Sequence, residues 1–105
     1  MMSVTRANLM ENIPELEKMG FKRWTKNGMD RLYVNAQALG LDRERGTLNG
    51  EKISNTYARE LVSAKTYIDL STYMIVSTSC ELAFEVAVRI GLEDRQAGRC
   101  KLEIK

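Results

Sequence analysis

Two adjacent residues, Asn27-Gly28, constrain this chain more than any other pair. Asn-Gly favours a two-residue type I′ turn, because both central positions need a positive φ that these residues tolerate. The runs on either side, 21–26 and 29–35, then read as the two strands of a hairpin. So tight a turn fixes the register: Lys26 faces Met29, Trp24 faces Arg31, and Lys22 faces Tyr33. Side chains alternate across a strand, so these six share one face. Phe21, Arg23, Thr25, Asp30, Leu32 and Val34 share the other. Phe21, Leu32 and Val34 mark that second face as the core side, which leaves a basic, aromatic face opposite.

The rest of the chain supplies partners for the hairpin. Leu9, Ile13 and Leu16 recur at helical spacing and predict a first helix from about residue 7 to Met19. Pro14 either starts that helix, with Asn12 as its cap, or kinks it, and Gly20 suits the C-terminal cap. Residues 35–41 read as a short turn of helix, and 42–50 as a loop containing a second Asn-Gly turn at Asn49-Gly50. Ser54 is a good N-cap for a helix over 55–64, with Tyr57, Ala58 and Leu61 inward. Thr66–Leu70 and Tyr73–Ser77 read as a second hairpin about Ser71-Thr72. Residues 81–90 carry two signals. Leu82, Phe84, Val86, Val88 and Ile90 alternate as in a strand, whereas the capping-box pattern Thr78-Ser79-Cys80-Glu81 and Gly91 frame a helix. The end signals favour the helix. Cys100, Leu102 and Ile104 alternate with charged residues, as expected of a charge-blunted edge strand. The order predicts an α+β fold: one domain over 1–105, with an antiparallel sheet of about four to five strands and helices packed on one face.

Several chemistries are excluded or find no support. The chain has no histidine, which removes Ser-His-Asp and Cys-His nucleophile arrangements and the commonest metal ligand. No phosphate-cradling glycine loop or dinucleotide fingerprint is present. Acidic neighbours such as Glu15 with Glu17, and Glu93 with Asp94, read as solvated charge at helix ends and loops. No catalytic residue, metal site or cofactor is expected, and the chain reads as non-enzymatic. No apolar run approaches a membrane span or a signal-peptide core, so the expectation is a cytoplasmic protein with no membrane partner. In that compartment Cys80 and Cys100 are expected as reduced thiols, with a disulfide between them as the alternative, and Cys80 as a small buried side chain near a helix N-terminus.

Lys22, Trp24, Lys26, Arg31 and Tyr33 form the candidate binding set. Trp, Tyr and Arg are favoured anchors of protein interfaces. Cations beside aromatic faces also suit phosphates and stacked bases. The same residues are compatible with a purely structural role, with Trp24 in the core and Arg31 stacked on it. The net charge of +2, from 16 basic and 14 acidic residues, is too small to point to nucleic acid by itself.

Two stretches, Arg23–Asn35 and Leu48–Asn55 running on to Tyr67–Leu70, resemble segments of small uncharacterised accessory proteins of Gram-positive phages and mobile elements. The resemblance covers about half the chain and carries no catalytic motif. It implies a setting, a compact protein that binds and blocks a host factor in the manner of anti-CRISPR proteins. The expected partner is thus a host protein or protein–nucleic-acid complex, with nucleic acid alone as the alternative, and the expected state is a monomer or homodimer.

Overall fold

A computed structural model describes residues 2–105. A 3-10 turn at Met10–Asn12 leads into α1 (Ile13–Lys18). Hairpin strands β1 (Lys22–Lys26) and β2 (Met29–Tyr33) follow. Three short strands come next, β3 (Leu41–Asp42), β4 (Thr47–Leu48) and β5 (Glu51–Lys52). The chain continues through α2 (Asn55–Ser63), β6 (Thr66–Asp69), β7 (Met74–Ser77), α3 (Cys80–Ile90) and β8 (Lys101–Glu103). Every strand pairing is antiparallel. The main sheet has five strands in the order β1-β2-β6-β7-β8, and β3-β4-β5 make a separate small sheet. This is an α+β fold.

Local chemistry accounts for the element ends. Asn27 and Gly28 have φ of 52° and 79°, the left-handed pair that a type I′ turn needs. Ser54 and Ser79 cap α2 and α3 by accepting from the Tyr57 and Leu82 N–H groups. The capping-box reading placed the start of α3 one residue early: Thr78 Oγ1 instead accepts from Lys65 N–H and ties β7 to the segment before β6. Residues 81–90 do lie in a helix. Gly91 ends it in the left-handed region at φ 75°, and a Cβ there would collide with the Met2 carbonyl.

The first helix is shorter than its apolar spacing suggests. Asn12 does stand at the N-cap of α1, but its amide donates to the Asn8 carbonyl instead of capping, and the residues before it form only the 3-10 turn. Gly20 ends α1 as expected, with Phe21 N–H donating back to the Leu16 carbonyl. Residues 36–40 make successive turns, not a helix, held by Asn35 Oδ1 accepting from Ala38 N–H. The expected loop 42–50 contains strand pairs too short for alternation to reveal them. Asp42 Oδ1 accepts from the Glu44 and Arg45 N–H groups, and Leu41 and Leu48 are buried.

The core lies on one side of the main sheet. Leu32, Val34, Ile68, Ile75, Leu102 and Ile104 point to that side, and all are buried. They pack with Ile13 and Leu16 of α1, Ala58 and Leu61 of α2, and Leu82, Ala83, Val86, Ala87 and Ile90 of α3. One polar pair sits among them, Thr66 and Ser77, whose hydroxyls satisfy each other at 2.7 Å. Ile68 is at the centre of this layer with no exposed surface. Ile68→Ala should cost about 2–5 kcal/mol of unfolding free energy, read as a lowered urea midpoint at unchanged slope.

Cys80 and Cys100 form a disulfide, against the expectation of free thiols. The sequence separates them by 20 residues, but β8 returns beside β7 and sets Cys100 against the first turn of α3. No compartment argument contains that geometry. Cys80 is therefore not a thiolate in this structure. Among the described residues no helix is long and apolar enough to cross a membrane.

Candidate functional site

The register of β1 and β2 pairs Lys22 with Tyr33, Trp24 with Arg31 and Lys26 with Met29. The five candidate residues therefore lie together on the face away from the core. β1 is exposed along its whole length, and Trp24 keeps 37% of its surface. The indole is not part of the core. Arg23 and Thr25, on the core side of β1, are exposed as well, so this strand extends past the helices and meets water on both faces.

Pairing carries the face across the whole sheet. Arg31 and Tyr33 stand opposite Asp69 and Tyr67; these stand opposite Met74 and Val76, and those in turn opposite Glu103 and Lys101. None of these residues is buried, whereas the core-facing alternate positions of β6, β7 and β8 are, as is Leu32 of β2; Asp30 of β2 is half-buried. Sequence reading missed the β6–β8 half of the face. Alternation within the second hairpin was visible, but nothing in the sequence said that β6 would lie beside β2 in this register.

At the centre of the face the side chains hold one another. Trp24 meets Tyr33 edge-on, with ring centroids 6.0 Å apart and planes at 84°. Tyr33 lies 5.1 Å from Tyr67. The Arg31 guanidinium sits 4.3 Å over the Tyr67 ring, and its Nη1 donates to the Tyr33 hydroxyl at 2.9 Å. That hydrogen bond favours the charged form and raises the Arg31 pKa further above its ordinary value, against the opposing effect of burial. Arg31 Nε is buried without a hydrogen-bond partner among the described residues.

Charge is uneven across the face. The β1–β2 part carries Lys22, Lys26 and Arg31 and no carboxylate. Among the described residues neither lysine takes part in an ion pair. The two carboxylates farther across already have partners. Asp69 accepts from the Ser71 and Thr72 N–H groups, and Glu103 pairs with Arg6 at 2.7 Å.

Behind the face, Arg23 grips Asp30 with two hydrogen bonds of 3.0 and 2.7 Å. The guanidinium holds the Asp30 carboxyl below its usual range, and the carboxylate raises Arg23 in return. A depressed folded-state pKa means that this pair supports the hairpin at neutral pH and loses its effect as pH falls through the depressed value. An NMR titration should find Asp30 protonating below the ordinary aspartate range, and Arg23→Gln should return it to that range.

No family model, curated protein or solved structure matches the chain.

Proposed function

We propose that this protein is a non-enzymatic binding protein that docks the open face of its sheet, centred on Trp24, Arg31 and Tyr33, onto a partner protein. One observation carries the reading. Across β2, β6, β7 and β8 one face packs against the helices, while the other, continued by β1, leaves a tryptophan, two tyrosines and an arginine in contact with water, held in fixed positions by their own contacts. These are the residue types that dominate binding energy at interfaces, and rigid side chains lose little entropy on docking. The resemblance to phage and mobile-element accessory proteins supplies the setting, with a host defence factor as the blocked partner.

Nucleic acid is the second reading, favoured by Lys22, Lys26 and Arg31 beside the rings. The geometry supports it less. Base stacking needs free ring faces, yet Arg31 covers Tyr67, and Tyr33 lies between Trp24 and Tyr67. Cytoplasmic residence belongs to the leading reading.

Capture from host lysate tests the function. The wild-type chain and a Glu60→Lys control on α2 should recover the same partner, and Arg31→Ala should lose it. Equal recovery by Arg31→Ala contradicts the reading. Recovery that disappears after nuclease treatment selects nucleic acid instead.

A further inference from the structure

The open face is small for a stable complex. Five strands spaced about 4.8 Å apart, each about 13 Å long, give a footprint of about 310 Å². Even doubled for side-chain relief, that falls short of the about 800 Å² per partner that stable interfaces bury. A partner seated there must reach past the sheet, and the two sheet edges differ in what they offer.

The β8 edge is short, charged and partly closed. Its strand has three residues, Arg6 N–H donates to the Lys105 carbonyl, and Arg6 Nε donates to the Ile104 carbonyl. The β1 edge is five residues long, regular in register, free of proline, and paired on one side only. Its outward groups follow from the ladder. Asp30 and Val34 of the β2 segment bond towards β6, through Leu70 N–H to the Asp30 carbonyl and Val34 N–H to the Thr66 carbonyl. Met29, Arg31 and Tyr33 therefore bond to Lys26, Trp24 and Lys22. That leaves the N–H and C=O groups of Arg23 and Thr25 directed outward along the free edge.

On the proposed-function reading that the partner is a protein, we propose that it adds an extended acidic segment as a strand antiparallel to β1. Addition of a strand satisfies the four outward backbone groups of Arg23 and Thr25. Lys22, Trp24 and Lys26 then specify the incoming side chains on the open face: a carboxylate, an apolar residue and a carboxylate at alternate positions. Directly opposite pairs lie about 4.5–5.5 Å apart, within reach of a Lys–Glu contact. Arg23 is already neutralised by Asp30, so the selection rests on the two unpaired lysines. A second copy of this chain does not fit the edge. Twofold antiparallel pairing about Trp24 would set Lys22 of each copy against Lys26 of the other, and like charges directly opposite destabilise a sheet.

The probe is a synthetic peptide, acetyl-Thr-Glu-Val-Phe-Val-Glu-Thr-amide, titrated against the chain's single tryptophan by fluorescence. Saturable binding is expected. It should weaken by about tenfold or more in the Lys22→Glu/Lys26→Glu variant, and that variant should prefer the same peptide with lysines in place of its glutamates. N-methylation of the two peptide amides facing the edge should abolish binding. No saturable change at millimolar peptide, equal binding of the methylated peptide, or no exchange of charge preference overturns strand addition. Thr25→Pro separates this proposal from the reading beneath it, because it removes an outward donor and no β1–β2 bond. If partner capture survives Thr25→Pro but is lost in Arg31→Ala, the face docks and the edge does not. If capture survives both, both are wrong.

Discussion

Trp24→Ala should weaken partner binding by about 2–4 kcal/mol, about 30- to 1000-fold, while leaving the protein folded. The two effects separate because of where the indole sits. It keeps over a third of its surface, and its one aromatic contact is the edge-on meeting with Tyr33. Losing that contact costs about 0.5–1.5 kcal/mol of fold stability. Docking would bury the remaining surface and align the indole with Arg31, and it is this gain that truncation removes. A denaturation curve and a binding isotherm on the same variant check both parts. A large loss of stability with unchanged affinity would place Trp24 among the structural residues.

Opening the Cys80–Cys100 disulfide should lower stability by about 3 kcal/mol, the loop-closure value for a bridge of this span. For a domain of this size that corresponds to a fall in Tm of about 12–24 °C. The bridge ties the first turn of α3 to the residue before β8, so its loss loosens the edge opposite β1. The Cys80→Ala/Cys100→Ala variant and the reduced wild type should behave alike in thermal unfolding, and a shift of only a degree or two would remove the bridge from the stability account. Neither change touches the open face, so binding below the new Tm should be retained. The same comparison bears on location, since a chain that works in a reducing compartment must stay folded without this bond.

Legibility in the sequence followed the reach of each signal. The first hairpin was readable because one dipeptide fixes its turn, its turn fixes its register, and its register fixes which side chains share a face. Helix α2 was readable from its Ser54 cap, and α3 from a capping-box pattern, placed one residue early, and from Gly91, all signals that act within a turn of the backbone they serve. The choice of helix for 81–90 over its strand-like alternation came from those ends, and burial of Leu82, Ala83, Val86, Ala87 and Ile90 explains why the pattern was ambiguous: such a helix has few polar positions to show its period. Contacts between distant segments were not readable. The pairing of β2 with β6, which puts Tyr67 under Arg31, depends on chain topology, as does the approach of Cys100 to Cys80. The short strands β3–β5 escaped because two residues cannot display a period, and they are held by turn hydrogen bonds and by Leu41 and Leu48.

Site-specific crosslinking tests the open face most directly. A photo-crosslinking amino acid in place of Met29, on the face, or in place of Glu60, on α2, would be activated in host cells. An adduct of one discrete mass from position 29 and none from position 60 is the result expected of a protein that docks through its sheet. An adduct from position 60 alone would place the contact on the helical side and contradict the assignment of the aromatic, basic face.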